Sequence, residues 1–145
     1  MSSGTRAAQS STATTSPVRL RAIAVVGGTV AALVVWGIGK ASGAELEVIQ
    51  TKGDPAMEVG FAAVTAAALF TSLIGWGVLA LLEKFAPAKS VLIWTVLASA
   101  VAVLSIFPVL SAEASDGTKA VLPLVHLAVA AVVIPLMRRS AASSR

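Results

Sequence analysis

Four long apolar runs constrain the fold of this sequence more than any other feature. They span residues 20–38, 59–82, 91–110 and 120–137, and the charged residues lie at their ends. A hydrocarbon core about 30 Å thick requires roughly 20 helical residues to cross it. Because the backbone polar groups find no water in that core, an apolar segment satisfies them by forming a helix. The runs therefore predict an all-α polytopic membrane protein, a bundle of four transmembrane helices.

The composition supports this class and excludes others. Hydrophobic residues make up 57% of the sequence and charged residues 12%, whereas soluble domains carry about 25% charged residues. The chain has no cysteine, which excludes disulfides, thiolate metal sites and thiol-based oxidoreductase chemistry. The net charge is +4, but the basic residues flank the apolar runs. They therefore indicate orientation in a bilayer, and no nucleic-acid partner is expected.

The positions of the basic residues predict that orientation. Lys and Arg concentrate in the cytoplasmic loops of membrane proteins. Here they favour the two terminal flanks and the loop after the second run, while the other two loops hold six of the seven acidic residues. The basic residues on the favoured side are Arg6, Arg19, Arg21, Lys84, Lys89, Arg138, Arg139 and Arg145. We therefore expect a multi-pass protein of the plasma membrane with both termini cytoplasmic, an N-in/C-in topology.

The first run has a second interpretation as a signal peptide, because small residues suited to cleavage follow it at positions 41–44. Against this, the run is longer than the usual apolar region of 7–15 residues. Lys40 also interrupts the approach to the cleavage site. A retained first helix is the favoured interpretation.

The ends of the chain differ in composition from the middle. Residues 1–17 are rich in Ser, Thr and Ala, and such a segment buries too little apolar surface to offset its ordering entropy. We expect a disordered cytoplasmic tail over 1–17, a four-helix membrane domain over 18–139, and a second disordered tail over 140–145.

The first outer loop is the only predicted loop long enough to have structure of its own. Residues 45–50 partly alternate polar and apolar side chains, residues 52–55 have turn chemistry, and residues 57–59 return as a second short strand. The pattern predicts a small hairpin that caps the outer face. Because an isolated hairpin is marginally stable in water, it has to pack on the bundle.

Small residues four positions apart predict where the helices pack together, since transmembrane helices associate through close approach and polar contacts. Such pairs and triplets occur in the first three runs. They are Ala24, Gly28 and Ala32, then Ala63 and Ala67, then Ala98 and Ala102. Gly75 and Gly77 are expected to loosen the second helix or to admit a neighbour. Trp36, Trp76 and Trp94 are expected to anchor their helices at the membrane interfaces. Pro135 is expected to kink or end the fourth helix.

One ionisable side chain, His126, lies deep inside an apolar run. Counted from the ends of the runs, Thr65 and Ser105 lie at a similar depth, roughly 10 Å below the outer boundary. The three side chains form a candidate intramembrane polar cluster if the faces of their helices converge. An intramembrane ionisable residue is a functional candidate by default. The alternative is structural, since a neutral histidine bonded to a hydroxyl across an interface stabilises helix association by about 0.6–2 kcal/mol.

The sequence offers no chemistry around this histidine. A proton-coupled multidrug carrier requires a carboxylate within the membrane, and none accompanies His126 there. A zinc site requires three or four ligands, and a single histidine supplies one. Phosphate-binding loops and nucleophile elbows are absent as well. The acidic residues of the first outer loop fit a solvated surface, and their spacing is not that of a calcium loop. We expect no enzyme activity, no cofactor and no metal site.

Three stretches resemble a known family. They are residues 126–135 (HLAVAAVVIP), residues 75–83 (GWGVLALLE) and residues 93–95 (IWT). Through them the chain from about 18 to 139 resembles an uncharacterised actinobacterial family of small four-helix integral membrane proteins, a domain of unknown function. The resemblance implies the topology described above and an actinobacterial plasma membrane, and it implies no activity.

Two functions remain open. The first is a non-enzymatic scaffold or accessory subunit of the cell envelope, which acts through helix–helix contacts with membrane lipid, a second copy or a partner membrane protein. The second is an oligomeric transporter or permeation pathway for a small solute or lipid, lined by His126, Thr65 and Ser105.

Overall fold

The computed structural model describes residues 16–49, 53 and 55–143. In that part of the chain five helices and three short strands follow one another. They are α1 (Pro17–Ala41), β1 (Glu47–Ile49), β2 (Met57–Glu58), α2 (Phe61–Phe85), α3 (Ser90–Leu104), α4 (Ile106–Ser111), β3 (Glu113–Ala114) and α5 (Asp116–Ala142). With α3 and α4 taken as one span, four helical spans are long and apolar enough to cross a membrane. The predicted four-helix membrane fold is confirmed.

The bundle is built around the pair of helices α1 and α5. Helix α1 makes its main contacts with α5 and α2, while α3 lies against α5 and α2. The strands lie at one end of the bundle, which we call the sheet end; the other end, where α1 begins and α5 finishes, we call the terminal end. The core has two parts, of which the larger surrounds the buried Trp94, Val133 and Met137.

The small residues of α1 allow this close packing. Ala24, Gly28 and Ala32 are all buried, as predicted. A Cβ atom placed on Gly28 would lie 2.6 Å from Cγ2 of Val133 in α5, a distance that real Cβ atoms do not reach. α1 and α5 therefore approach as closely as they do because position 28 has no side chain.

The corresponding prediction for α2 is wrong, because Ala63 and Ala67 are exposed. Val64, Ala68 and Ser72 are the buried residues instead. Since each residue turns a helix by about 100°, the predicted row lies beside the buried one. An alanine-rich helix has small residues at four-residue spacing on several faces, so spacing alone did not identify the packed face.

Gly75 admits a neighbouring side chain. Trp94 of α3 is 2% exposed, and its indole Nε1 donates a hydrogen bond to the Gly75 carbonyl at 2.8 Å. Trp94 therefore joins two helices instead of facing the interface with its ring exposed, which differs from the anchoring role expected of it.

The third span, predicted over 91–110, is present as Ser90–Ser111 and is interrupted at one residue, Ser105. α3 ends at Leu104, and α4 begins at Ile106. Pro108 lies four residues after Leu104, and a proline has no N–H to donate while its ring clashes with the carbonyl four residues earlier. The break therefore falls where the proline acts, at Ser105.

The fourth span is longer than the predicted 120–137. α5 begins at Asp116, where the Ser115 side chain caps it by accepting from the Thr118 N–H, and it runs through Pro135 to Ala142. Ser140 and Ala141 are buried, so residues 140–142 belong to the bundle and not to a tail. Hydropathy identifies only the apolar part of a helix. The polar turns at the two ends of α5 are helical as well, and hydropathy does not predict them.

The first predicted tail is corrected in the same way. Ser16 is the N-cap of α1, accepting a hydrogen bond from the Arg19 N–H, and Pro17 occupies the first turn. Proline at this position loses no helical hydrogen bond. The predictions for residues 1–15, 144 and 145 lie outside the described residues.

The predicted hairpin is confirmed, with one strand added. β1 pairs antiparallel with β2, with Glu47 opposite Glu58. β3, which was not predicted, pairs with the other edge of β1 and gives the strand order β2-β1-β3. The sheet therefore joins the loop after α1 to the loop after α4.

Candidate functional site

His126 lies half-buried in α5, and its ring is held by its own helix. Nδ1 lies 2.7 Å from the carbonyl oxygen of Leu122, one turn earlier. Because a carbonyl oxygen only accepts, Nδ1 carries the proton of this bond. In the neutral ring Nε2 is then left as an acceptor. The histidine thus keeps one polar atom for a partner.

The other two members of the predicted cluster also bond within their own helices. Thr65 donates to the Phe61 carbonyl at 2.8 Å, and Ser105 to the Ala102 carbonyl at 2.9 Å. Over the described ranges, no hydrogen bond joins any two of His126, Thr65 and Ser105. Such local bonds satisfy a hydroxyl without a neighbouring helix. The convergence of the three residues stays a prediction.

A buried polar cluster at the terminal end was missed by the sequence analysis. Arg21 of α1 is 7% exposed; its Nη2 donates to Oε1 of Glu83 in α2 at 2.6 Å, and its Nε donates to Oγ of Ser140 in α5 at 3.0 Å. Ser140 in turn donates to the Met137 carbonyl at 2.7 Å. We call Arg21, Glu83 and Ser140 the terminal cluster. It links three of the four spans.

The terminal cluster holds helices together and has no acid–base chemistry. An arginine stays protonated in proteins and presents its donors in a fixed plane, so it transfers no proton. Two charges taken out of water lose hydration, and their attraction offsets that loss only with good geometry and further hydrogen bonds. Here the Ser140 hydroxyl supplies such a bond. The only signal in the sequence was an acid, Glu83, on the side predicted to be basic.

A second polar cluster holds the sheet on the bundle. Thr118 is 0% exposed, and its Oγ1 bonds the carbonyls of Glu45 and Glu47 at 2.7 and 3.0 Å. It also accepts the Glu47 N–H at 3.0 Å. Beside it, a Cβ on Gly117 would lie 2.9 Å from Cβ of Ala44. The start of α5 therefore holds β1 against the bundle. The hairpin requires this packing in order to be stable.

The acidic residues at the sheet end are on the surface. Glu58 pairs with Lys40 at 2.6 Å, and the hydrogen bond and positive charge of Lys40 hold the pKa of the Glu58 carboxyl below its ordinary value. Glu45, Glu47 and Glu113 are exposed. In the described part of the chain, no three His, Asp or Glu side chains come together as a metal would require.

Three hydroxyls near the middle of the spans differ from the others. Ser72 of α2 is 1% exposed, and its buried Oγ has no hydrogen-bond partner. Thr71 and Ser99 are exposed on α2 and α3, and none of the hydrogen bonds within the described ranges involves them. Elsewhere in the spans, Thr29, Thr65 and Thr95 each bond a carbonyl of their own helix.

The third span contributes little to the core. Its buried residues are Ser90 and Trp94, both within the first two turns of α3. None of residues 95–111 is buried. Leu104 and Phe107 are among the large apolar side chains exposed there. We call the exposed side of residues 95–111 the open face.

The comparisons with known proteins give a family and no activity. A family model described as a family of unknown function, DUF6069, matches residues 12–143. No curated protein and no solved structure matches the chain. The resemblance to an uncharacterised family is thereby confirmed, while an actinobacterial origin stays a prediction.

Proposed function

The chain belongs to the family of unknown function DUF6069, and from its own structure we propose that it is a non-enzymatic membrane scaffold or accessory subunit. In this proposal it acts through helix–helix contacts in the bilayer. The observation that carries it is the open face, an unburied stretch of seventeen residues, whereas each of the other three spans has buried residues near both of its ends. Such a face is available to another transmembrane helix.

The unpaired hydroxyls support the same proposal. Ser99 lies on the open face and Thr71 on the exposed side of α2, each near the middle of its span. A hydroxyl without a hydrogen-bond partner is costly in an apolar medium. Hydroxyls bonded across helix interfaces contribute about 0.6–2 kcal/mol to association. A partner helix with a polar side chain at this depth would therefore bind in a preferred register.

Apart from Ser72, the buried polar side chains of the described residues have partners within the chain, which argues for a binding role over catalysis. Arg21 is engaged by Glu83 and Ser140, and Thr118 by the backbone of the first strand. A catalytic group needs free atoms directed at a substrate. We therefore keep the expectation that the protein is not an enzyme.

The proposed location is the plasma membrane, with the terminal end in the cytoplasm. The support is the distribution of basic residues. Lys84, Lys89, Arg138 and Arg139 lie at the terminal end, and Lys and Arg are retained on the cytoplasmic side during insertion. Selective labelling of a cysteine placed at the exposed Ala56, in the loop at the sheet end, tests this orientation in intact cells.

Site-directed photo-crosslinking in native membranes tests the proposed interface. Because the chain has no cysteine, Ser99→Cys carries a thiol-reactive photo-crosslinker at one position on the open face. Val30→Cys is the matched control, since Val30 is 53% exposed near the middle of α1. We expect a discrete protein adduct from position 99, whose mass identifies a second copy or another protein. Lipid adducts alone at both positions would contradict the proposal.

The transport function keeps one specific observation in its favour. The Nδ1 bond of His126 to Leu122 leaves Nε2 for a solute or a proton, at a half-buried position of α5. Four helices rarely enclose a pathway, so this function requires an oligomer. It predicts that His126→Ala abolishes flux into reconstituted vesicles while the fold persists.

A further inference from the structure

A groove opens between the start of α3 and the end of α5, at the terminal end. It encloses about 290 Å³ and is lined by Ala88, Val91, Leu92, Thr95 and Arg138. It lies outside the terminal cluster, since it shares no residue with Arg21, Glu83 and Ser140. Its volume is at the lower limit of small-molecule sites.

The walls of the groove are apolar. Val91, Leu92 and Ala88 present only hydrocarbon. The hydroxyl of Thr95 donates to the Val91 carbonyl at 2.6 Å, so it is engaged within α3. A hydrocarbon chain therefore fits these walls better than a polar solute does.

Arg138 is the single charged residue of the lining, and it is exposed. In the described part of the chain it forms no ion pair, because the acid of this end, Glu83, is engaged by Arg21. A guanidinium presents a planar fork of donors that matches the oxygens of a phosphate. The groove thus combines apolar walls with one cationic side chain, Arg138, that forms no ion pair.

The position of Arg138 fits the headgroup layer of a bilayer. It lies in the last turns of α5, beyond the apolar part of the span, and the groove runs from there along the first turns of α3. Lys84, Lys89 and Arg139 at the same end add to the positive charge. Basic pockets between transmembrane helices bind anionic headgroups.

From this combination we propose that the groove binds one anionic phospholipid. The phosphate lies on Arg138, and an acyl chain runs along Val91 and Leu92. The positive charge of the terminal end selects an anionic headgroup over a zwitterionic one. The groove meets the open face at Thr95 alone, so this site does not rest on the proposed scaffold function.

Native mass spectrometry of the whole protein tests the site. The delipidated protein is mixed with phosphatidylglycerol or phosphatidylcholine that carry the same acyl chains, and the bound lipid is counted. We expect one phosphatidylglycerol to be retained, with at least tenfold preference over phosphatidylcholine. Equal retention of the two lipids would overturn the proposal.

Two neighbouring arginines give a matched pair of variants. Arg138→Gln and Arg139→Gln remove the same charge from adjacent residues, but only Arg138 lines the groove. We expect Arg138→Gln to weaken phosphatidylglycerol binding about tenfold, as the loss of a charge-assisted hydrogen bond implies. Arg139→Gln should change it less than threefold. Equal weakening by both variants would show surface attraction only and would overturn the site.

A third variant tests the contribution of the apolar walls of the groove and leaves every charge in place. Ala88→Trp places a large ring at the exposed edge of the groove, and it should reduce retained phosphatidylglycerol several-fold. Unchanged retention would remove the acyl-chain contact from the proposal. Because both Ala88 and Arg138 are exposed, each variant should retain the fold, and thermal unfolding without added lipid checks this.

Discussion

Arg21 and Glu83 are 62 residues apart in the chain, yet Nη2 of the one lies 2.6 Å from Oε1 of the other. The contact joins the beginning of α1 to the end of α2. Because Ser140 of α5 completes the cluster, one guanidinium links three helices.

Glu83→Gln should destabilise the protein by about 3 kcal/mol, because it leaves the Arg21 charge buried without a counter-charge. We take the lower end of the known range, since a quarter of the Glu83 side chain is exposed. Thermal unfolding in detergent measures the change. Lys84→Gln, at an exposed neighbour, should alter stability by less than about 0.5 kcal/mol. Similar losses from both variants would show that the pair is unimportant.

Gly28→Ala should destabilise the bundle by about 1–3 kcal/mol, because the new methyl group overlaps Val133 in a packed interface. Gly37→Ala is the control, since nothing lies within 4 Å of a Cβ there. Adding Val133→Ala to Gly28→Ala should restore part of the loss. A double-mutant cycle by thermal unfolding measures the coupling, and additive effects would contradict the contact.

Thr118→Val should loosen the attachment of the sheet to the bundle, because the N–H and carbonyl of Glu47 lose the Thr118 hydroxyl. The Glu45 carbonyl keeps the Ser115 hydroxyl as a donor. A buried unsatisfied group costs about 1–3 kcal/mol. Hydrogen exchange of the amides of β1 should accelerate selectively. In Thr65→Val, which removes a hydroxyl bonded only to its own helix, these amides should exchange as in the wild type.

The ion pair of Glu58 with Lys40 should make the sheet end sensitive to pH. Lys40 lowers the pKa of Glu58 in the folded protein. The pair therefore contributes stability above the ordinary carboxyl pKa of 4.5, and this contribution is lost as the pH falls through the lowered value. The stability of the wild type relative to Glu58→Gln should shrink between pH 7 and pH 3. Because the pair is exposed, the effect should be small and weaker in salt.

His126→Ala separates the two functions. In the scaffold function the variant folds, loses at most about 1 kcal/mol for one local hydrogen bond, and keeps the protein adduct from position 99. Vesicle flux and crosslinking, measured on the same preparation, give the answer. Loss of the adduct with an intact fold would place His126 in the interface itself.

The spans and the hairpin were predictable because each depends on local sequence. A run such as 59–82 needs only length and hydropathy to be identified, and the turn residues between 52 and 55 mark the hairpin. The third strand was not, since Glu113–Ala114 is two residues long and pairs with β1 more than sixty positions away.

The terminal cluster could not be predicted from the sequence, for a different reason. Arg21 and Glu83 were interpreted as flanking charges, and whether they face each other depends on how each helix is rotated about its axis. The prediction that Ala63 and Ala67 are buried fails for the same reason, because the sequence does not fix the rotation of α2. Helix contacts in a bilayer use small and apolar residues that occur on every face of an alanine-rich helix, so the pattern contains too little information to fix rotation.

The break at Ser105 gives α4 two different attachments. At one side it meets α3 through a single non-helical residue, and at the other it runs through Ala112 directly into β3, which pairs with the central strand. α4 also packs against α5, so we expect a movement of this short helix to be resisted there and to appear as bending at Ser105 or as a shift of the sheet. A helix bound beside α4 would in this way be sensed at the sheet end of the protein.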